Sequence, residues 1–137
     1  MIQRIQSLWL LLASVSAFIT LKFSFYSGTD VNNVPYQMLT GATSGFLILT
    51  LTLLVGLIAA ISIFLFKNRT TQFWLCITGF IAEVILILLY YIKIKTFSQG
   101  TLSLTSLLHI AVILFFILAV RGISKDEKLI KDSDRLR

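Results

Sequence analysis

The sequence predicts an all-α integral membrane protein: a four-transmembrane-helix bundle with both ends in the cytoplasm and a short cytoplasmic C-terminal helix. Three observations predict it. Hydrophobic residues make up 57% of the 137-residue chain and charged residues 13%, with a mean hydropathy of +0.92, whereas about a quarter of the residues of soluble domains are charged. Windows of about 19 residues find four apolar runs, at 5–21, 44–66, 71–94 and 102–120, each able to cross a hydrocarbon core of roughly 30 Å. Nine basic residues fall at one set of span ends (Arg4, Lys67, Arg69, Arg121 and the tail) and three at the other (Lys22, Lys93, Lys95). The richer side is expected to be cytoplasmic.

The first run follows a short basic start, and Val15-Ser16-Ala17 also fits the small-residue cleavage site of a signal peptide; an uncleaved span is the expectation. Residues 23–43, with SGTD, NN and the sole proline, Pro35, form the one connection long enough to act as a partner-facing cap, the alternative being a solvated linker. Between the second and third runs KNRT is a tight turn, so those helices are antiparallel neighbours. Asn68-Arg69-Thr70 within it matches a glycosylation acceptor by chance if the turn is cytoplasmic. The turn around KTFSQGT is nearly as short and makes the third and fourth runs neighbours too. Lys22, Lys93 and Lys95 sit at span ends, where their stems can reach the headgroups. Trp9 and Trp74 at one set of ends, and Tyr26, Tyr36, Tyr90 and Tyr91 at the other, are placed as interfacial aromatic belts.

Within the third run, GFIAEVILILLYY carries the one acidic residue of the apolar region, Glu83, and the fourth carries the one histidine, His109. Each lies 12 residues from a cytoplasmic span end, or about 18 Å at about 1.5 Å per residue. Matched depth on antiparallel neighbours predicts a buried hydrogen bond or ion pair, since a charge at mid-bilayer costs roughly 2.5–3.5 kcal/mol and is turned inward or partnered. Gln72, Cys76, Gly79, Glu83 and Tyr90 follow at spacings of 4, 3, 4 and 7 and share one stripe of the third helix; Thr105, Ser106 and His109 share a face of the fourth. Small residues at four-residue spacing, Ala13 with Ala17, Gly41 with Gly45 and Gly56 with Ala60, suit close helix packing within the bundle, or a self-association seam.

The pair has two readings. As interhelical glue it would contribute about 0.5–2 kcal/mol; as a proton or cation site it would share one proton between two groups whose charged forms burial disfavours. Small multidrug exporters also carry one buried glutamate in a four-span chain, but in their first span. A lone histidine cannot supply both axial ligands of a haem, and one cysteine excludes an internal disulfide and a multi-cysteine metal site. Neither H-E-x-x-H, G-x-S-x-G nor a phosphate loop occurs. No enzymatic activity, cofactor or metal is expected.

The membrane domain is thus expected to span 1–121, followed by a tail at 122–137. Gly122 is expected to end the fourth helix at the C′ position, and Ser124 with Glu127 to form a capping box starting a new one. Leu129, Ile130 and Leu136 make an apolar strip beside Lys128, Lys131 and Arg135, suited either to lying at the headgroup level or to docking on a cytoplasmic partner. From Arg121 onward six basic and four acidic residues alternate without aromatics, which fits neither a polybasic lipid binder nor a nucleic-acid arm.

MIQRIQSLWLLLA at the start, FKNR at the inner turn and AVRGISKDEKLIKDSDRLR at the end resemble a domain-of-unknown-function family of short four-span inner-membrane proteins from Bacteroidota, over essentially the whole chain. The resemblance implies a multi-pass protein of the bacterial inner membrane and carries over no activity or catalytic residue. It is strongest in the polar termini, which suits a subunit better than a transporter. The expected role is therefore a non-catalytic accessory or scaffold subunit of a larger inner-membrane complex, docking through its tail on membrane or membrane-associated cytoplasmic proteins. The alternatives are a small proton-coupled transporter using Glu83 and His109, and a self-associating homo-oligomer.

Overall fold

Three apolar runs too long for strands, and a fourth barely shorter, meet no internal proline, and each folds as a helix. The computed structural model describes residues 3–30 and 37–135. It contains α1 (Gln3–Thr20), α2 (Phe46–Phe64), α3 (Arg69–Ile94) and α4 (Leu107–Arg135). Each helix packs on its neighbours in sequence, and α4 closes the ring against α1. The tight turn between α2 and α3 makes those two antiparallel neighbours, while the α1–α2 and α3–α4 connections are longer and contain strands.

The interior is small and polar, and the outside is large and apolar. Ser14, Thr52, Ser62, Gln72, Glu83 and His109 are buried, while Leu47, Leu57, Ile61, Ile85, Leu88 and Leu114 are exposed. Inside, Leu10, Ala13, Val55, Ala59, Cys76, Val112 and Phe116 form the core. Some of its hydroxyls are satisfied within their own helix, Thr52 donating to the Ile48 carbonyl at 2.7 Å and Ser62 to that of Ile58 at 2.7 Å, and Ser14 donates across to the Gly56 carbonyl at 3.0 Å. In water such an outer surface would be far beyond a tolerable apolar patch. Among the described residues, α2, α3 and the stretch Leu104–Ile130 are long and apolar enough to cross a membrane, and the apolar part of α1, Ile5–Thr20, is shorter. These features mark a membrane protein.

The all-α expectation is corrected at one end. β1 (Ser24–Asp30), β2 (Gln37–Thr40) and β3 (Phe97–Leu102) form an antiparallel sheet in the order β2-β1-β3. The described parts of 23–43 therefore include two paired strands rather than only solvated linker, and KTFSQGT is not a simple turn. The aromatic and hydroxyl-rich sequences SFYSGTD and FSQGTL suit a pleated, half-buried surface. They pair in the register Tyr26 with Leu102, Ser27 with Thr101 and Gly28 with Gly100. That glycine pair permits the pairing, because a Cβ on Gly100 would stand 2.5 Å from the Tyr26 ring. Pairing consumes Leu102, so α4 starts at Leu107 after an extended Ser103 and a 3₁₀ turn, Leu104–Ser106, rather than at 102. A second core of Leu39, Ile48, Leu86 and Tyr90, with Phe25 and Phe97 against it, joins the sheet to α2 and α3.

The tail is corrected as well. α4 runs unbroken through Gly122 to Arg135, so no second helix starts at Ser124. The Ser124 hydroxyl donates to the Val120 carbonyl at 3.0 Å, one turn back within the same helix, instead of capping. Ile123 and Asp126 are buried, and this burial against α1 outweighs the local stop signal of a glycine, which costs a helix interior only about 1 kcal/mol.

Candidate functional site

α3 and α4 run antiparallel, and the polar stripe of α3 faces inward: Gln72, Cys76, Gly79, Glu83 and Tyr90 are all buried. Glu83 Oε1 stands 2.6 Å from His109 Nδ1, both residues about 2% exposed. Because α4 begins only at Leu107, the pair lies close under the sheet. The upper turns of α3 extend past the start of α4, and strand β1 covers them. Phe25 stacks on Tyr90 at 4.5 Å between centroids and meets the His109 ring edge-on at 5.3 Å; Tyr90 meets His109 at 5.2 Å. This aromatic roof separates the pair from the sheet end. Tyr90 is fully buried, its hydroxyl has no hydrogen-bond partner, and it lies within electrostatic reach of the Glu83 carboxyl. Chemically, the cluster is a carboxyl and an imidazole that can share one proton, beside a phenol with a donor to spare.

The remaining stripe residues do other work. Gln72 Nε2 donates to the Ser62 carbonyl at 2.9 Å and ties α3 to α2 near their connecting turn. Cys76 is a buried free thiol. Gly79 is filled by Phe116, whose ring would stand 2.7 Å from a Cβ there. Thr105 and Ser106 are half-buried and not part of the pair: the Thr105 hydroxyl donates to the Ser24 carbonyl, holding the 3₁₀ turn to β1, and the Ser106 N–H donates to the Ser103 carbonyl at 2.9 Å.

The family model described as "Domain of unknown function (DUF4293)" matches residues 2–136. The chain belongs to this family. No curated protein and no solved structure matches the chain. The DUF4293 match takes in both polar termini, and in the structure α1 and α4 meet next to them. Gln6 Nε2 donates to Asp126 Oδ2 at 2.5 Å, with both residues buried. Gly122 allows the approach, since a Cβ there would stand 2.8 Å from Gln6 Cγ. Trp9 stacks on Phe115 at 5.9 Å one turn further in. Sequence reading missed this contact. The signal was present in the spacing of Phe116, Ala119, Ile123 and Asp126, which continues one face of α4 straight across Gly122.

Of the tail residues, Lys128, Leu129 and Ile130 are exposed. Lys131 and Arg135 lie on α4 with side chains outside the described set, and Leu136 lies outside the described residues. The small-residue faces are used within one chain: Ala13 and Ala17 are buried in the bundle core, and Gly41 abuts the backbone of Thr20 and Leu21.

Proposed function

We propose that this DUF4293 chain crosses a bacterial inner membrane four times, with both ends cytoplasmic and the sheet outside, and serves as a non-catalytic accessory or scaffold subunit of a larger membrane complex. The observation that carries the reading is the continuation of α4. Its 29 residues reach about 43 Å, some 15 Å more than the 19 residues of α2. Beyond Asp126, which is tied to α1 through Gln6, the helix presents Leu129 and Ile130, 49% and 45% exposed, beside Lys128. An exposed apolar patch beside a lysine on a helix suits helix-in-groove docking on a cytoplasmic or membrane partner. Orientation rests on the nine-to-three split of basic residues.

The test is purification of the tagged protein from its host in mild detergent, with identification of what accompanies it. Leu129→Asp with Ile130→Asp should release a stoichiometric partner and leave the bundle folded. Retention of the partner by that variant, or isolation of the wild-type protein alone, would refute the reading.

One observation favours a second reading, a small proton-coupled transporter: a carboxyl–imidazole pair at 2.6 Å lies beside a tyrosine hydroxyl without a partner. Glu83→Gln would then abolish proton-coupled uptake in vesicles, whereas under the subunit reading it leaves assembly intact.

A further inference from the structure

At the sheet end, a groove of about 310 Å³ lies between the start of α2 and the end of α3. Its upper rim is Ser44, Gly45 and Lys93, and its walls are Phe46, Leu47, Leu89 and Ile92. Gly45 has φ 130° and is followed directly by the first turn of α2, which no side chain caps. Leading N–H groups of that turn point outward, and this end of the helix carries about half a positive charge. Against it the structure places a second positive charge: Lys93 Nζ donates to the Ser44 carbonyl and stands 3.2 Å from where a Gly45 Cβ would be. No carboxylate among the described residues pairs with Lys93. Ser44 is 3% exposed, lines the same groove, and its hydroxyl has no hydrogen-bond partner.

Two like charges and an unused buried hydroxyl at an uncapped helix start require an anion, and the groove below them requires an apolar occupant. Phe46, Leu47 and Ile92 are 81%, 68% and 61% exposed along it. One molecule meets both demands. We propose that the N-terminus of α2 and Lys93 bind the phosphodiester of a membrane phospholipid, with one acyl chain in the α2–α3 groove. The anion takes the helix N–H groups and the ammonium, as phosphates do at helix starts, and the Ser44 hydroxyl turns to donate to it. The site rests on the chain being embedded in a membrane and is independent of the docking role of α4.

The experiment is native mass spectrometry of the full chain in mild detergent with added phosphatidylglycerol. Diacylglycerol of the same acyl chains and inorganic phosphate are run beside it, and folding of each variant is checked by thermal unfolding. Wild type should hold phosphatidylglycerol about five- to tenfold more tightly than diacylglycerol. Lys93→Gln should lose that preference, whereas Lys93→Arg should keep it. Lys95→Gln should keep it too, because Lys95 lies over the Tyr91 ring at 5.3 Å, outside the groove. Equal binding of the two lipids, an unchanged preference in folded Lys93→Gln, or phosphate displacing the lipid at equal concentration would overturn the proposal.

Discussion

Removing both members of the Glu83–His109 pair should cost less than the two single removals together. His109 and Glu83 are each about 2% exposed and 2.6 Å apart, so Glu83→Leu leaves the imidazole, and His109→Phe the carboxyl, without its partner in an apolar interior. In soluble interiors that costs about 3–5 kcal/mol, and the unfolded reference within a bilayer reduces it, since interhelical hydrogen bonds there reach at most about 1.7 kcal/mol. Each single variant should therefore lose about 2 kcal/mol, part of it packing, because His109 also contacts Phe25 and Tyr90. His109→Phe preserves much of that ring contact, so the double variant should lose less than the sum by about 1–1.5 kcal/mol. Reversible unfolding in mixed micelles, followed by circular dichroism on all four proteins, measures the coupling. Additivity within about 0.3 kcal/mol would refute the idea that the pair is a bond, whatever the cost of each single change.

Other perturbations test other parts of the structure. Phe116→Ala should destabilise by about 3–5 kcal/mol, because the ring is fully buried against Gly79, and thermal unfolding reads this directly. Gly122→Leu should cost about 1–3 kcal/mol by pushing Gln6 and α1 away from α4, measured in the same way. Ending the chain after Lys128 should leave unfolding unchanged, whereas ending it after Arg121 should cost about 2–5 kcal/mol through loss of buried Ile123 and the Asp126 bond. For orientation, native Cys76 is fully buried, so an introduced cysteine should react alone with an impermeant maleimide. Thr101→Cys should label in intact cells, and Lys128→Cys only after lysis.

The buried pair was legible because position along a helix is a matter of counting: two rare polar residues 12 positions from the same-side ends of their apolar runs lie level on neighbouring antiparallel helices. The inward stripe of α3 followed from the helical period in the same way. The sheet was not legible, for two physical reasons. β1 and β3 join segments about 70 residues apart, so no local signal links them, and their aromatic residues at span ends look like interfacial belts. At Gly122 and Ser124 local rules pointed the wrong way. The glycine is there to admit Gln6 of α1, and the serine satisfies itself within the helix; the continuing face Phe116, Ala119, Ile123 and Asp126 was the competing signal that outweighed both. The delayed start of α4 follows from the sheet and moved the pair from mid-bundle to just beneath the aromatic roof.

The most direct test of the docking role is photocrosslinking in the host membrane from a photoreactive residue placed at Ile130, with the lipid-facing position Leu114 as the control. The expected result is one dominant adduct from Ile130, heavier than a dimer of this chain or distinct from it by mass spectrometry, and absent from Leu114. Adducts only to lipid, or only to a second copy of the chain, would contradict the proposal that α4 docks on a partner.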